Sequence, residues 1–239
     1  SASAEVFTTA IQRFYLGGPV PVILAASTHA PEERIILEAW QQINRSNGPS
    51  SPRLVIAPRH PERFAEVAAL LNALAIRWVR RTDQPASNDN ESEVILLDTI
   101  GELRSVFPLA AIVFVGGSIA PTGGHNILEP AAVGACIVTG AHTENFREIV
   151  NTFVAADAIV QLPSTNEAAA VGVVAAVFRE LLEDAEQRRT LGTRARALVE
   201  QNRGATERSM DILAKMLTAA RSPGEVASAS AAREGLHSA

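Results

Sequence analysis

The sequence predicts an α/β fold, a doubly wound parallel Rossmann-like sheet with helices on both faces. Three observations point there. Short apolar, β-branched runs alternate with segments of helical periodicity along most of the chain. The central runs, residues 20–26 and 111–115, are apolar at every position, as expected of strands covered on both faces. Polar and glycine-rich clusters follow the runs directly, where sheets of this kind bind their ligands.

Residues 20–26 read as the first strand, and 32–44 place Ile35, Ile36, Ala39, Trp40 and Ile43 along one helical face. Residues 53–57 are the second strand. Pro61 opens the next helix at a position where a missing N–H costs little, and Phe64, Val67, Ala68 and Leu71 supply its buried stripe. Residues 76–79 and 94–97 are the third and fourth strands. Thr99 and Glu102 then form a Thr-x-x-Glu capping box for a helix to about Phe107. Residues 111–115, 137–139 and 158–161 complete a set of seven strands. Ser164 and Glu167 make a second capping box, and helices rich in Ala, Leu and Val follow to about Ala220.

Composition narrows the function classes. The 239 residues carry a formal charge of −5, against a sequence-independent nucleic-acid binder, which needs a basic face. The single cysteine, Cys136, sits in an apolar run and reads as a small buried hydrophobe. No apolar run approaches the roughly 18–20 residues that span a bilayer. Four of the five excess negative charges (Asp83, Asp89, Glu91, Glu93) lie in residues 82–93, which read as a solvated loop without chemistry. Lys215 is the only lysine, so a P-loop lysine is not available.

If the strands are parallel, five polar clusters share one rim: Ser27-Thr28-His29, residues 58–63 with Pro58, Arg59 and His60, residues 98–102 with Ile100, Gly101 and Glu102, residues 116–130, and Gly140-Ala141-His142. The fourth is the most informative. Its glycines at 116, 117, 123 and 124 permit a tight path that exposes backbone N–H groups, and Asn126 can cap the helix that follows. That is a phosphate cradle built from backbone. Glu129, about one turn into the helix, can accept two hydrogen bonds from a ribose diol. The loop matches neither the dinucleotide nor the P-loop pattern.

His29, His60, His125 and His142 all lie on this rim. They suit either a metal or hydrogen bonds to a polyanionic or sugar ligand, and no two have His-x-x-x-His spacing. His142 could equally stabilise its own loop. Arg59 could hold a phosphate or carboxylate in a bidentate fork or pair with Glu62, and Arg63 reads as a surface ion pair. The later arginines (188, 189, 194, 196, 203 and 208) intermix with acids and read as a solvated helix face, with a membrane-facing patch as the alternative.

At these residues the sequence resembles the 3-deoxy-D-manno-octulosonic acid (Kdo) transferase family. The strings are Ala-Ser-Thr-His (26–29), Pro-Arg-His-Pro-Glu-Arg-Phe (58–64), Asp-Thr-Ile-Gly-Glu-Leu (98–103), Val-Gly-Gly-Ser (115–118) and Gly-Gly-His-Asn-x-Leu-Glu-Pro (123–130). Thr143-Glu-Asn-Phe146 and Asn202-Arg-Gly-Ala205 continue the likeness. One departure is Pro31-Glu32, where the family often has Gly-Glu; a slightly changed loop path is expected there.

The resemblance implies the C-terminal, donor-binding domain of a two-domain GT-B glycosyltransferase that moves Kdo from CMP-Kdo onto a lipid A precursor with inversion, in lipopolysaccharide biosynthesis. Residues 1–19 would be an interdomain link or N-terminal extension, 20–221 the CMP-Kdo-binding domain, and 222–239 a disordered tail. Pro58 and Arg59 would contact the CMP moiety, the backbone around Ile100, Gly101 and Glu102 the cytosine, and Asn126, Ile127, Leu128 and Glu129 the phosphate and ribose. Ser27, Thr28, His29, His60, Gly117, Ser118, Gly124 and His125 would line the phosphate or sugar side. No catalytic residue, metal or cofactor is expected in this chain. The general base, acceptor cleft and membrane contact would belong to an N-terminal half, at the cytoplasmic face of the inner membrane. Three alternatives remain: the donor half of another GT-B enzyme or epimerase using a UDP-sugar, a non-catalytic nucleotide-binding module, and a metal hydrolase built on the rim histidines.

Overall fold

The computed structural model describes residue 8, residues 12–47 and residues 51–202. The chain divides into two compact units, residues 1–200 and 201–239. The tail at 222–239, the arginines at 203 and 208 and most of the 202–205 string lie outside the described residues.

The first unit is built on seven parallel strands in the order β3-β4-β2-β1-β5-β6-β7. These are β1 (Val22–Thr28), β2 (Arg53–Pro58), β3 (Trp78–Arg80), β4 (Val94–Leu96), β5 (Ile112–Val115), β6 (Ile137–Thr139) and β7 (Val160–Gln161). The helices are α1 (Glu32–Asn47), α2 (Phe64–Ala73), α3 (Leu103–Val106), α4 (Leu128–Ala132), α5 (Arg147–Ala155), α6 (Glu167–Glu183) and α7 (185–202). The chain winds outward from β1 to β2 and later outward from β1 through β5, so the strand order reverses at the β1–β5 pair. That reversal opens a crevice beyond the carboxyl ends of the strands, the general ligand position of open α/β sheets.

Alternation along each strand feeds two cores. Ile23, Ala25, Leu54, Ile56, Ile112 and Phe114 face α1, α2 and α6. Val22, Leu24, Ala26, Val55, Val113 and Val115 face the side covered by α4, α5 and α7. Phe14 and Leu16, 1% and 2% exposed, complete this second core, so the chain before β1 packs as part of the unit. Cys136 is buried among apolar neighbours, which pushes its thiol up to about 12. No helix of the described residues is long and apolar enough to cross a membrane.

Local signals moved in three places. Thr99 Oγ1 does reach Glu102 Oε2 at 2.9 Å, but α3 starts only at Leu103 and runs four residues before a 3-10 turn at Phe107–Leu109, so no capping box forms. Pro61 opens a 3-10 turn, Pro61–Arg63, and α2 begins after it. The cap of α6 is Asn166, whose Oδ1 accepts the Ala169 N–H at 2.9 Å, and not Ser164. A side-chain oxygen one residue before the helix has the shorter reach to those amides.

The acidic loop is more than a solvated stretch. Asp89 is 5% exposed; its Oδ2 lies 2.6 Å from Arg13 Nε and accepts the Ala86 N–H at 2.9 Å. Arg13 also donates to Arg81 O at 2.8 Å, tying the chain before β1 to this loop. Among the described late arginines, Arg189 pairs with Glu186, Arg194 with Asp157 and Arg196 with Glu200, as a solvated helix face would, whereas Arg188 is half-buried and donates to Leu182 O at 2.9 Å.

Candidate functional site

The rim is organised by a carboxylate that local sequence signals do not single out. β1 leaves the sheet through an irregularity between Ala26 and Thr28, with Ser27 at φ 55°, and the chain turns into α1. Glu32 stands at the first position of α1 and is fully buried. Its Oε2 accepts the N–H groups of His29 (3.0 Å) and Gly117 (2.7 Å), and its Oε1 those of Ser118 (2.8 Å) and Ile119 (2.8 Å). One carboxylate thus staples the β1–α1 turn to the glycine-rich loop after β5. Charge-assisted bonds of this kind are about twice as strong as neutral ones.

This changes the reading of the glycine-rich loop. The amides of Gly117 and Ser118, candidates for a phosphate cradle, are taken by Glu32. Ser118 is fully buried; its hydroxyl donates to Val115 O at 2.7 Å and accepts the Gly140 N–H at 2.8 Å. Thr28 is buried as well. These residues shape the wall of the crevice from within. Gly116 must be glycine here, because a Cβ would lie 2.6 Å from Ser27 O and 2.7 Å from Thr28 Cα, both backbone. Gly116→Ala is expected to destabilise the unit by about 1–3 kcal/mol, read as a lower midpoint in thermal unfolding.

Four loops then present groups outward. After β2, Pro58 is buried while Arg59 is exposed and pairs with no described residue, Glu62 included; the Arg59 amide is anchored on Thr28 O at 3.0 Å. Arg63 instead reaches Glu33 (3.3 Å) and Glu66 (3.0 Å). Glu33 is buried, and loss of solvent raises its carboxyl above the usual range despite the Arg63 guanidinium. After β4, Ile100 is 80% exposed and Gly101 adopts φ 87°, so an apolar side chain and an open backbone turn stand on the rim. Glu102 is held by Arg81 at 3.0 Å.

After β5, Ile127 holds the position just before α4, and Asn126 caps the helix from one residue further back: its Oδ1 accepts the Leu128 N–H at 2.9 Å. α4 is only five residues long, so any attraction for an anion there comes from a few local amides rather than an extended dipole. Glu129 Oε1 lies 2.6 Å from Arg104 Nη2. Because Arg104 belongs to α3 and Glu129 to α4, this exposed pair closes a ring of loops running from β4 through β2 and β1 to β5.

Three of the rim histidines converge inside that ring. His29 Nε2 and His125 Nε2 are 2.8 Å apart, and the His60 ring meets His29 edge-on with centroids at 5.2 Å. Burial first, then His29, Arg59 and His60, push His125 down to about 4, and burial with His60 also lowers His29. His142 sits apart, with Nδ1 3.5 Å from Glu144. Among the described residues no group of three or more His, Cys, Asp or Glu side chains is arranged to hold a metal. The residues missed in the sequence, Glu32 and Arg104, gave only weak signals: an acid in the first turn of a helix, and an arginine among exposed residues.

Comparison with known proteins assigns the fold first. The chain superimposes on a glycosyltransferase from Rickettsia africae with a TM-score of 0.59 at 15% identity, covering 87% of this chain and 52% of that one. The fold is that of one Rossmann-like half of the GT-B type. No protein-family profile matches the chain. It is 39% identical over 193 residues to the 3-deoxy-D-manno-octulosonic acid transferase of Haemophilus influenzae, matching 81% of this chain and 43% of that relative. It also superimposes on the C-terminal CMP-Kdo binding domain of WaaA from Acinetobacter baumannii, with a TM-score of 0.72 at 34% identity, covering 84% of this chain and 98% of that domain. The chain belongs to the Kdo transferase family and corresponds to its C-terminal domain. It spans less than half the length of the Haemophilus relative.

Proposed function

We propose that this chain binds CMP-Kdo and serves as the donor half of a transferase that moves Kdo onto a lipid A precursor. The observation that carries the reading is the ring of loops itself: an exposed arginine, an exposed isoleucine beside an open glycine turn, and a carboxylate held at one oxygen, in a chain 34% identical to a CMP-Kdo binding domain. Arg59 and the backbone after Pro58 meet the CMP phosphate; the turn at Ile100, Gly101 and Glu102 receives the cytosine; Asn126, Ile127, Leu128 and Glu129 take the ribose and phosphate side. Arg104 engages Glu129 Oε1 and leaves Oε2 for a ribose hydroxyl. His29, His60, His125 and Gly124 stand toward the sugar side, while Ser27, Thr28, Gly117 and Ser118 hold the wall behind them.

The chemistry follows from the donor. As Kdo leaves through an oxocarbenium-like transition state, negative charge builds on the departing phosphate, and the Arg59 guanidinium is placed to stabilise it. Deprotonation of the acceptor hydroxyl is assigned to an N-terminal half of the full-length protein, which would work at the cytoplasmic face of the inner membrane. The part taken by the present chain is therefore to bind the nucleotide donor.

Calorimetric titration tests the reading. CMP should bind more tightly than UMP or UDP; tighter binding of UDP would sink it in favour of a UDP-sugar enzyme. Arg59→Ala and Glu129→Ala should each weaken CMP about 10- to 100-fold. Unchanged affinity in both would leave a nucleotide site elsewhere.

A further inference from the structure

We propose that His29 and His125 form a one-proton anion subsite beside the nucleotide, in which the pair takes up a single proton when the donor's oxyanion binds. The inference rests on the nucleotide reading above and adds to it the place and chemistry of one contact.

The geometry limits how the pair can be protonated. At 2.8 Å between two Nε2 atoms, one hydrogen lies between the rings, donated by one nitrogen and accepted by the other. Two neutral imidazoles satisfy this arrangement. That neutral pair already carries two ring protons, the central one and one on the acceptor ring's Nδ1; a third, on the donor ring's Nδ1, converts it to imidazole and imidazolium around the same central hydrogen. A fourth would set two N–H groups head to head, so the neutral pair accepts one proton and no more. The His29 backbone is fixed by its amide bond to Glu32, and the His125 ring packs close against Gly117, where a Cβ would lie 3.0 Å from it.

The surroundings set the resting state. From the β2–α2 connection the pair faces Arg59, His60 and Arg63; from α1 it faces Glu33, with the Glu32 carboxylate consumed by backbone amides. Burial and this cationic excess keep the empty pair neutral, with His125 down at about 4. Glu33 opposes the shift only in part, since its carboxyl is itself buried and engaged by Arg63. A ligand oxyanion brought against the half-buried rings reverses the balance, and an opposite charge at contact distance raises such a group by about 1–3 pH units. The ligand class is an oxyanion attached to the nucleotide, either the phosphate or the carboxylate of the acidic sugar.

The test is calorimetry between pH 5.5 and 8 in buffers of different ionisation enthalpy, with three ligands of constant charge. Cytidine carries no anion, cytidine 5′-methyl phosphate carries the phosphate alone, and CMP-Kdo carries phosphate and carboxylate. Cytidine should bind without proton uptake. If the phosphate is the partner, the methyl phosphate should take up a proton and tighten about tenfold from pH 8 to 5.5; if the carboxylate is, only CMP-Kdo should. His29→Gln and His125→Gln should each abolish the uptake, whereas His142→Gln, at the rim histidine that sits apart beside Glu144, should retain it. Should either variant fail to fold, imidazole nitrogen shifts in the unaltered protein should move for two histidines on adding ligand at pH 6. Ligand that binds with no uptake and no such shift overturns the subsite alone. Uptake that persists in both folded glutamine variants overturns it as well. Failure of every cytidine ligand to bind overturns both the subsite and the nucleotide reading.

Discussion

Glu32→Ala is expected to destabilise the first unit by about 3–5 kcal/mol and to remove measurable CMP binding. The carboxylate is fully buried and receives four backbone N–H groups at 3.0 Å or less, three of them from the glycine-rich loop. Alanine leaves those donors inside the unit without a partner, and each unsatisfied buried group costs about 1–3 kcal/mol. Partial relaxation and water entry keep the total below the simple sum. Glu32→Gln retains one good acceptor but turns an NH2 group toward backbone donors, so it should fall between wild type and alanine. Urea unfolding followed by circular dichroism measures the stability, and CMP titration measures the loss of the site. A Glu32→Ala protein of unchanged midpoint would mean that the loop does not depend on the staple.

The second large effect belongs to Arg13 and Asp89. Their side chains are 7% and 6% exposed, and the pair joins the chain before β1 to the acidic loop between β3 and β4. Removing either partner strands a buried charge, at about 3–5 kcal/mol, so Arg13→Ala and Asp89→Ala should each lower the urea midpoint sharply. The double variant should cost less than the two single changes added together. Burial pushes the Asp89 carboxyl up, but the Ala86 N–H and the Arg13 guanidinium outweigh it and hold Asp89 below its usual 3.8. A depressed carboxylate stabilises the folded state above its unfolded pKa and loses that contribution as pH falls through the folded value. The stability of the wild type should therefore drop as pH is lowered below about 4, and Asp89→Asn should flatten that drop. Equal slopes in the two proteins would place the acid sensitivity elsewhere.

Both residues carry a lesson about legibility. The strands could be placed from periodicity because alternation and β-branching report burial on two faces, a property of each segment by itself. The same logic located the rim, since polar clusters at the ends of apolar runs must lie at the carboxyl edge of a parallel sheet. Helix starts were less legible. Several oxygen-bearing side chains compete within three residues, and the winner at α6 was Asn166 because its oxygen reaches the Ala169 amide.

Composition was a poorer guide still. The acidic loop looked uniformly solvated, yet Asp89 is withdrawn from water by an arginine 76 residues earlier in the chain. Glu32 looked like an ordinary acid in the first turn of a helix, where the dipole favours one. Three of its four amide partners lie 85 to 87 residues further on. His29 and His125, 96 residues apart along the chain, gave no sign that they would share a hydrogen.

The sequence by itself determined the strands, the parallel sheet, the loops that face the crevice and the family to which those loops belong. The tertiary structure decided how the loops are spent: which amides are already bound by Glu32, which oxygen of Glu129 Arg104 occupies, and which histidines meet. The division has a physical cause. Secondary structure follows from burial and backbone hydrogen bonding within a few residues. The pairing of buried polar groups depends on the strand order, which places β1 beside β5 and so sets His29 and Glu32 against a loop almost ninety residues away.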